Sequence, residues 1–170
     1  MVLSLLKNLN SLIISGKESL PIIEGGKGVS VSNGVSAGAF AKAGSVGTFS
    51  GVNGEWLDKN NKPIPLTFKG ATRNERHEEL ISHSIEAALC QAQIAHDISE
   101  GKGAIHMNIL WEMGGAERIL TEVLERAKGV INGITCGAGM PYKLAAISEK
   151  YQVYYYPIIS SMRAFRALWK

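Results

Sequence analysis

Two hydrophobic rhythms alternate along the chain. Short apolar runs bounded by glycine or polar residues recur at 20–23, 46–50, 104–110, 131–136 and 153–159. Runs of that length read as strands of a sheet covered by helices. Between them, apolar residues recur every three to four positions. Ser32 or Asn33 can cap a helix that runs to Ala43 and is built of small residues (Ala37, Gly38, Ala39, Ala41), a composition that lets a helix lie close to its neighbour. Gly44 ends it. Thr72-Arg73-Asn74-Glu75 is a capping-box pattern, and a long helix should follow with Leu80, Ile81, Ile85, Ala88, Leu89, Ala92 and Ala95 on one face. Gly114 and Gly115 lead into another, striped by Ile119, Leu120, Val123, Leu124 and Ala127 and stopped by Lys128-Gly129. A short helix is expected over 142–150, and one more from Ser161 onward. Leu3, Leu6, Leu9 and Ile13 fall at helical spacing and predict a short amphipathic helix packed on the domain rather than a membrane anchor.

The order is βα repeated about five times, which argues for an α/β fold with a parallel sheet. An open doubly wound sheet and part of a (β/α)8 barrel both fit this order. The polar stretch 53–70, with Pro63 and Pro65, reads as an inserted loop, and the whole excursion 53–102 as an insertion between the second and third strands.

Composition narrows the classes. At 170 residues and 18.3 kDa the chain suits a single domain, 1–170. With 45% hydrophobic residues it is not a disordered chain. A mean hydropathy of +0.04, without an apolar run of about 18 residues, argues against a spanning helix. A net charge of +3, with Lys and Arg scattered, gives no footprint for nucleic acid. Cys90 and Cys136 are too few for a disulfide framework, and no basic leader with a cleavage site precedes them. A reducing, cytoplasmic setting is therefore expected.

In parallel α/β folds ligands bind beyond the C-terminal ends of the strands. Three segments stand there: Glu24-Gly25-Gly26-Lys27-Gly28, Asn108 after Ile105-His106-Met107, and Cys136-Gly137-Ala138-Gly139-Met140-Pro141. Their glycines either make tight turns or let backbone approach a shared ligand. Neither glycine cluster completes a dinucleotide fingerprint, and there is no Walker sequence. His77-Glu78-Glu79 lacks the one-turn histidine spacing of a zinc helix, so no metal site is expected. His106 and Asn108 would share one strand face. A buried, hydrogen-bonded histidine is the ordinary reading of His106, and a catalytic one the alternative. Tyr151, Tyr154, Tyr155 and Tyr156 read as a β-rich strand with half-buried phenols. Ser160-Ser161 can cap the next helix or donate to a ligand. Arg163, Arg166 and Lys170 read as a solvated face.

These strings, in this order, resemble the nitronate monooxygenase family, formerly called 2-nitropropane dioxygenases. Residues 20–32 (LPIIEGGKGVSVS) resemble its first strand and loop, and 41–50 (AKAGSVGTFS) its second unit. Residues 106–110 (HMNIL), 134–141 (ITCGAGMP) and 156–161 (YPIISS) resemble the third, fourth and fifth strands. The resemblance implies a TIM barrel, of which this chain would form about the first five βα units, binding FMN non-covalently at the strand ends. By position, Gly25, Gly26 and Lys27 would run under the flavin ring and Asn108 would hydrogen-bond to it. Gly137, Ala138 and Gly139 would line the substrate side, and Ser160 would stand at the fifth strand end. Many members carry methionine where this chain has Lys27; a lysine there would stabilise negative charge on a reduced ring.

The activity implied is oxidation of an alkyl nitronate with oxygen to a carbonyl compound and nitrite. The superfamily also includes flavin-dependent enoyl-acyl carrier protein reductases. The family's phosphate-binding loops and its glycine-glycine-histidine motif follow the fifth strand, beyond the residues read here. Only His106 offers itself as a catalytic group, by proximity. Five strands cannot close an eight-stranded barrel, and open edges attract partner strands. A homo-oligomer, or a complementing C-terminal-half chain, is therefore expected. The alternative is a catalytically inactive half-barrel remnant.

Overall fold

The structure is a computed structural model, and it describes residues 10–137 and 139–169. In order, the elements are β1 (Leu12–Ile14), β2 (Lys17–Ser19), α1 (Gly34–Lys42), β3 (Val46–Ser50), α2 (Arg73–Ser99), β4 (Ala104–Leu110), α3 (Ala116–Arg126), β5 (Gly133–Gly137), α4 (Leu144–Tyr151), β6 (Tyr154–Pro157) and α5 (Met162–Leu168).

The main sheet has four parallel strands in the order β3-β4-β5-β6. That order bears on the two architectures. Parallel crossovers are right-handed, so helices change faces only where the strand order reverses. Here it never reverses, and the helices collect on one face. The core is correspondingly one-sided. Phe49, Ile105, Met107, Ile109, Ile134 and Cys136 point from the strands into a single cluster with Ile81 and Ile85 of α2, and Ile119, Leu120 and Val123 of α3. Among the described residues the result is a singly wound, open sheet of four parallel strands, consistent with a sector of a barrel.

Local chemistry builds the helices as expected. Asn33 caps α1 and Thr72 caps α2, each in a reciprocal capping box. Ser161 caps α5 through its hydroxyl to the Ala164 N–H at 3.1 Å. The small residues of α1 serve a second purpose: Gly34, Ala37, Gly38 and Ala41 are buried, and a Cβ at Gly38 would lie 2.6 Å from the Ile98 Cβ of α2. Helix α2 is the crossover between β3 and β4, so 53–102 contains a core helix as well as the polar loop at 53–70.

Two expectations fail. The run 20–23 is not a buried strand. It touches β3 at one parallel bridge, Ile23 to Val46, and Ile22 and Ile23 remain 39% and 53% exposed. The ladder stops because the next donor, the Thr48 N–H, goes to the Glu24 carboxylate at 3.0 Å instead of to main chain. Pro21 also lacks an N–H to offer.

The amphipathic helix expected at the start fails at Ile13, which lies in the β1–β2 hairpin; Leu3, Leu6 and Leu9 lie outside the described residues. Ser15 and Gly16 turn that hairpin with φ of +51° and +73°, both left-handed, as a two-residue type I′ connection requires. A Ser-Gly pair between short runs was its available signal.

Candidate functional site

Strand side chains alternate, so the face opposite the helices carries Thr48 and Ser50 of β3, His106 and Asn108 of β4, Gly133 and Thr135 of β5, and Tyr154 and Tyr156 of β6. Seven of those eight positions carry polar side chains and the eighth is Gly133, whereas Val46, Ala104 and Leu110 at the margins of the same face are apolar. The register sorts them into two rows. Thr48, His106, Gly133 and Tyr154 lie side by side, and Ser50, Asn108, Thr135 and Tyr156 form the row one step nearer the C-terminal ends.

The β1–β2 hairpin closes the first row. The Ser15 Oγ lies 2.7 Å from His106 Nε2 and 3.0 Å from the Tyr156 hydroxyl, which also accepts the Ser15 N–H at 3.0 Å. The Tyr156 ring stacks on the imidazole at 5.0 Å between centroids. Gly133 makes room for this latch, since a Cβ there would stand 2.5 Å from His106 Nε2 and 2.8 Å from Ser15 Oγ. Burial pushes the His106 pKa down to about 4, so the ring is neutral near pH 7. Its Nδ1 and the neighbouring Thr48 Oγ1 are buried without a partner among the described residues. His106 is thus buried and hydrogen-bonded beneath the hairpin. It lies mid-strand, one row short of Asn108 and the C-terminal end of β4.

The second row leads to the open end. Loop 25–32 folds over it. The Ser32 hydroxyl donates to the Gly25 carbonyl at 3.0 Å and accepts the Lys27 N–H at 3.1 Å. The Ser32 carbonyl takes the Ser50 N–H at 2.8 Å, tying the loop to β3. The turn uses Val29 and Ser30 at φ of +54° and +64°, an unfavourable region for a β-branched residue.

Gly26 rests on Asn108: an added Cβ would fall 2.4 Å from the Asn108 Cβ. At Gly25 and Gly28 an added Cβ would meet nothing within 4 Å, so that strip of backbone is open. Lys27 is exposed. Asn108 is half-buried and receives the Thr135 hydroxyl on Oδ1 at 3.2 Å. Thr135 is the residue that reading from sequence missed. Its signal was the register, which only strand pairing supplies.

At the end of β5, Gly137 lies against Ile158, and Gly139, at φ of +85°, lies against Glu112. Ala138 falls outside the described residues. Ser160 is exposed in the turn between β6 and α5. Gly25, Gly26, Asn108 and Gly137 thus belong to one end of the sheet, and Gly26 and Asn108 are in direct contact.

Among the described residues the outer edge of β6 has no partner strand. Beside it, Tyr155, Pro157, Ile159, Phe165, Leu168 and Trp169 line an apolar groove of about 280 Å³. Among the described residues, no cluster of three His, Cys, Asp or Glu side chains could hold a metal, and no helix is long and apolar enough to cross a membrane.

The sequence matches no protein-family model and no curated protein. Among solved structures the chain is similar to FabK from Thermotoga maritima, with a TM-score of 0.52 and 18% sequence identity. The match covers 87% of this chain and 36% of that one, so this chain spans about a third of the neighbour's length. The likeness is one of fold, and it supports the reading of a sector of a larger α/β barrel.

Proposed function

We propose that the chain is the N-terminal sector of a flavin-dependent oxidoreductase barrel of the nitronate monooxygenase-like superfamily. One observation carries the reading: Gly26 backbone lies directly on Asn108 at the C-terminal end of a polar sheet face, in a sheet that shares the fold of part of FabK.

The residues present fit the ring of FMN. An open backbone strip at Gly25 and Gly28 can lie along a flat ring. The Asn108 carboxamide supplies a donor at its edge, and the exposed Lys27 a positive charge. Bound FMN would supply two-electron chemistry. The chain's part is to hold and orient the ring, and to close the other end of the polar face with the hairpin latch.

For substrate, we favour an alkyl nitronate oxidised with oxygen, in line with the motif resemblance. The likeness to FabK favours a second reading, an enoyl-acyl carrier protein reductase-like enzyme. Further βα units from a complementing chain would continue the sheet at the β6 edge.

FMN titration tests the reading. Quenching of flavin fluorescence together with a raised Tm is expected. A colourless protein whose Tm does not move at saturating FMN refutes it for this chain. With FMN bound, turnover of nitronate or of enoyl thioester separates the two substrates.

A further inference from the structure

We propose that Glu24 is a positioning residue: its carboxylate takes a β3 N–H in place of main chain, and so throws residues 25–31 off the β3 edge and across to Asn108. The inference rests on the flavin-binding reading and adds to it what holds the ligand-facing backbone in place.

The edge of β3 turns three N–H groups toward residues 20–32. The Val46 N–H donates to the Ile22 carbonyl at 3.3 Å, the Thr48 N–H to a Glu24 carboxylate oxygen at 3.0 Å, and the Ser50 N–H to the Ser32 carbonyl at 2.8 Å. The Glu24 N–H donates in turn to the Val46 carbonyl at 2.9 Å. A parallel ladder advances two residues per rung, so a continuous strand would meet Thr48 with the Glu24 carbonyl and Ser50 with the Gly26 carbonyl. The carboxylate fills the first of those places and Ser32 the second. The chain therefore leaves the ladder at Glu24 and rejoins it at Ser32. Glu24 is buried, and the direction of its bond is fixed by the groups themselves, since a main-chain N–H only donates.

The released stretch is laid across the strand ends. Gly26 passes over to β4, where an added Cβ would fall 2.4 Å from the Asn108 Cβ. Ser32 braces the stretch from within: its hydroxyl holds the Gly25 carbonyl at 3.0 Å and the Lys27 N–H at 3.1 Å, and its own N–H donates to the Lys27 carbonyl at 3.3 Å. On the far side the Ser30 hydroxyl accepts the Glu55 N–H at 3.2 Å. Without the carboxylate, the buried Thr48 N–H loses its acceptor. The replacement that a ladder supplies is the Glu24 carbonyl, and taking it would draw Gly25 and Gly26 back along β3, away from Asn108.

The test uses wild type, Glu24→Ala and Glu24→Gln. Lys27 is exposed in the released stretch, so trypsin cleavage after it reports how firmly that stretch is held. Cleavage after Lys128, exposed beyond α3, reports loosening of the fold at large. Glu24→Ala removes the acceptor. It should speed cleavage after Lys27 about 10-fold, leave cleavage after Lys128 unchanged, and weaken FMN binding about 10-fold. Glutamine keeps an oxygen that accepts an N–H, so Glu24→Gln should stay within about 3-fold of wild type in cleavage and in affinity. Its Thr48 amide proton should move upfield in the NMR spectrum, as a charge-assisted bond becomes a neutral one. Equal cleavage after Lys27 in wild type and Glu24→Ala, an equal rise after Lys128, or Glu24→Gln behaving as Glu24→Ala overturns the proposal. An unmoved Thr48 amide signal in Glu24→Gln overturns it too, whether or not Glu24→Ala folds. FMN affinity unchanged by Glu24→Ala overturns the link to the ligand and leaves the flavin reading intact. If wild type does not bind FMN the flavin reading fails, and the cleavage and amide measurements still decide what Glu24 holds.

Discussion

Acidification should loosen this fold through one side chain. His106 is buried beneath the β1–β2 hairpin, accepting or donating at Nε2 with Ser15 and stacked on Tyr156. In the unfolded chain its imidazole titrates near 6.5, whereas burial lowers the folded value to about 4. Above pH 6.5 the ring is neutral in both states and costs nothing. As pH falls below 6.5 the unfolded chain takes up a proton that the folded protein refuses, and stability drops until the folded value is reached near pH 4. A separation of about 2.5 units at about 1.36 kcal/mol each gives a loss of about 3 kcal/mol across that window.

The assay is urea denaturation at several pH values from 7.5 to 4, for wild type and His106→Gln. The glutamine keeps a hydrogen-bonding group against Ser15 but cannot take a proton. Subtracting the two curves removes the carboxylates, among them Glu75 and Glu100, whose values are lowered by the Thr72 hydrogen bonds and by Lys42 respectively. Wild type should lose about 3 kcal/mol more than the variant. Parallel curves refute the reasoning. Direct NMR titration of His106 in wild type gives a second check, and a midpoint near 6.5 would refute it even if the variant folds poorly.

Two further outcomes follow from packing. Gly47→Ala should destabilise the fold by about 3 kcal/mol, the upper end of ordinary overpacking, because its Cβ would fall 1.8 Å from the Ala37 carbonyl oxygen and force α1 off β3. Gly28→Ala, which meets nothing within 4 Å, should stay within about 0.5 kcal/mol, and equal urea midpoints for the two variants would contradict the close α1–β3 contact. Burial pushes the Cys136 thiol up to about 11, so at pH 8 a soluble alkylating reagent should modify Cys90 well before Cys136 in the native protein, as read by peptide mass spectrometry.

What could be read from sequence was local. The caps at Asn33, Thr72 and Ser161, the stripe of α2 and the strand at 104–110 depend on residues within a few positions of one another, and each stands in the structure where the pattern put it. The αL turn at Ser15-Gly16 is equally local, but the helical spacing of Leu3, Leu6, Leu9 and Ile13 points to a different element there. The site was legible only in part. Glycine strings and Asn108 pointed to one end of a sheet, while Thr135 gained its meaning from being placed opposite Asn108 by strand register. The run 20–23 shows the same limit: its apolar pattern is that of a strand, and the fate of one N–H, taken by the Glu24 carboxylate, ended the ladder.

Sequence alone determined the helices, the four strands of the main sheet and a parallel α/β class, because periodicity and capping are short-range. Tertiary structure decided the rest. Strand order without reversal put every crossover helix on one face and left a polar face behind. Contacts spanning 91 and 141 residues, from Ser15 to His106 and to Tyr156, pinned the hairpin over a buried, neutral imidazole. Such contacts depend on which strands become neighbours, and no stretch of sequence contains that information by itself.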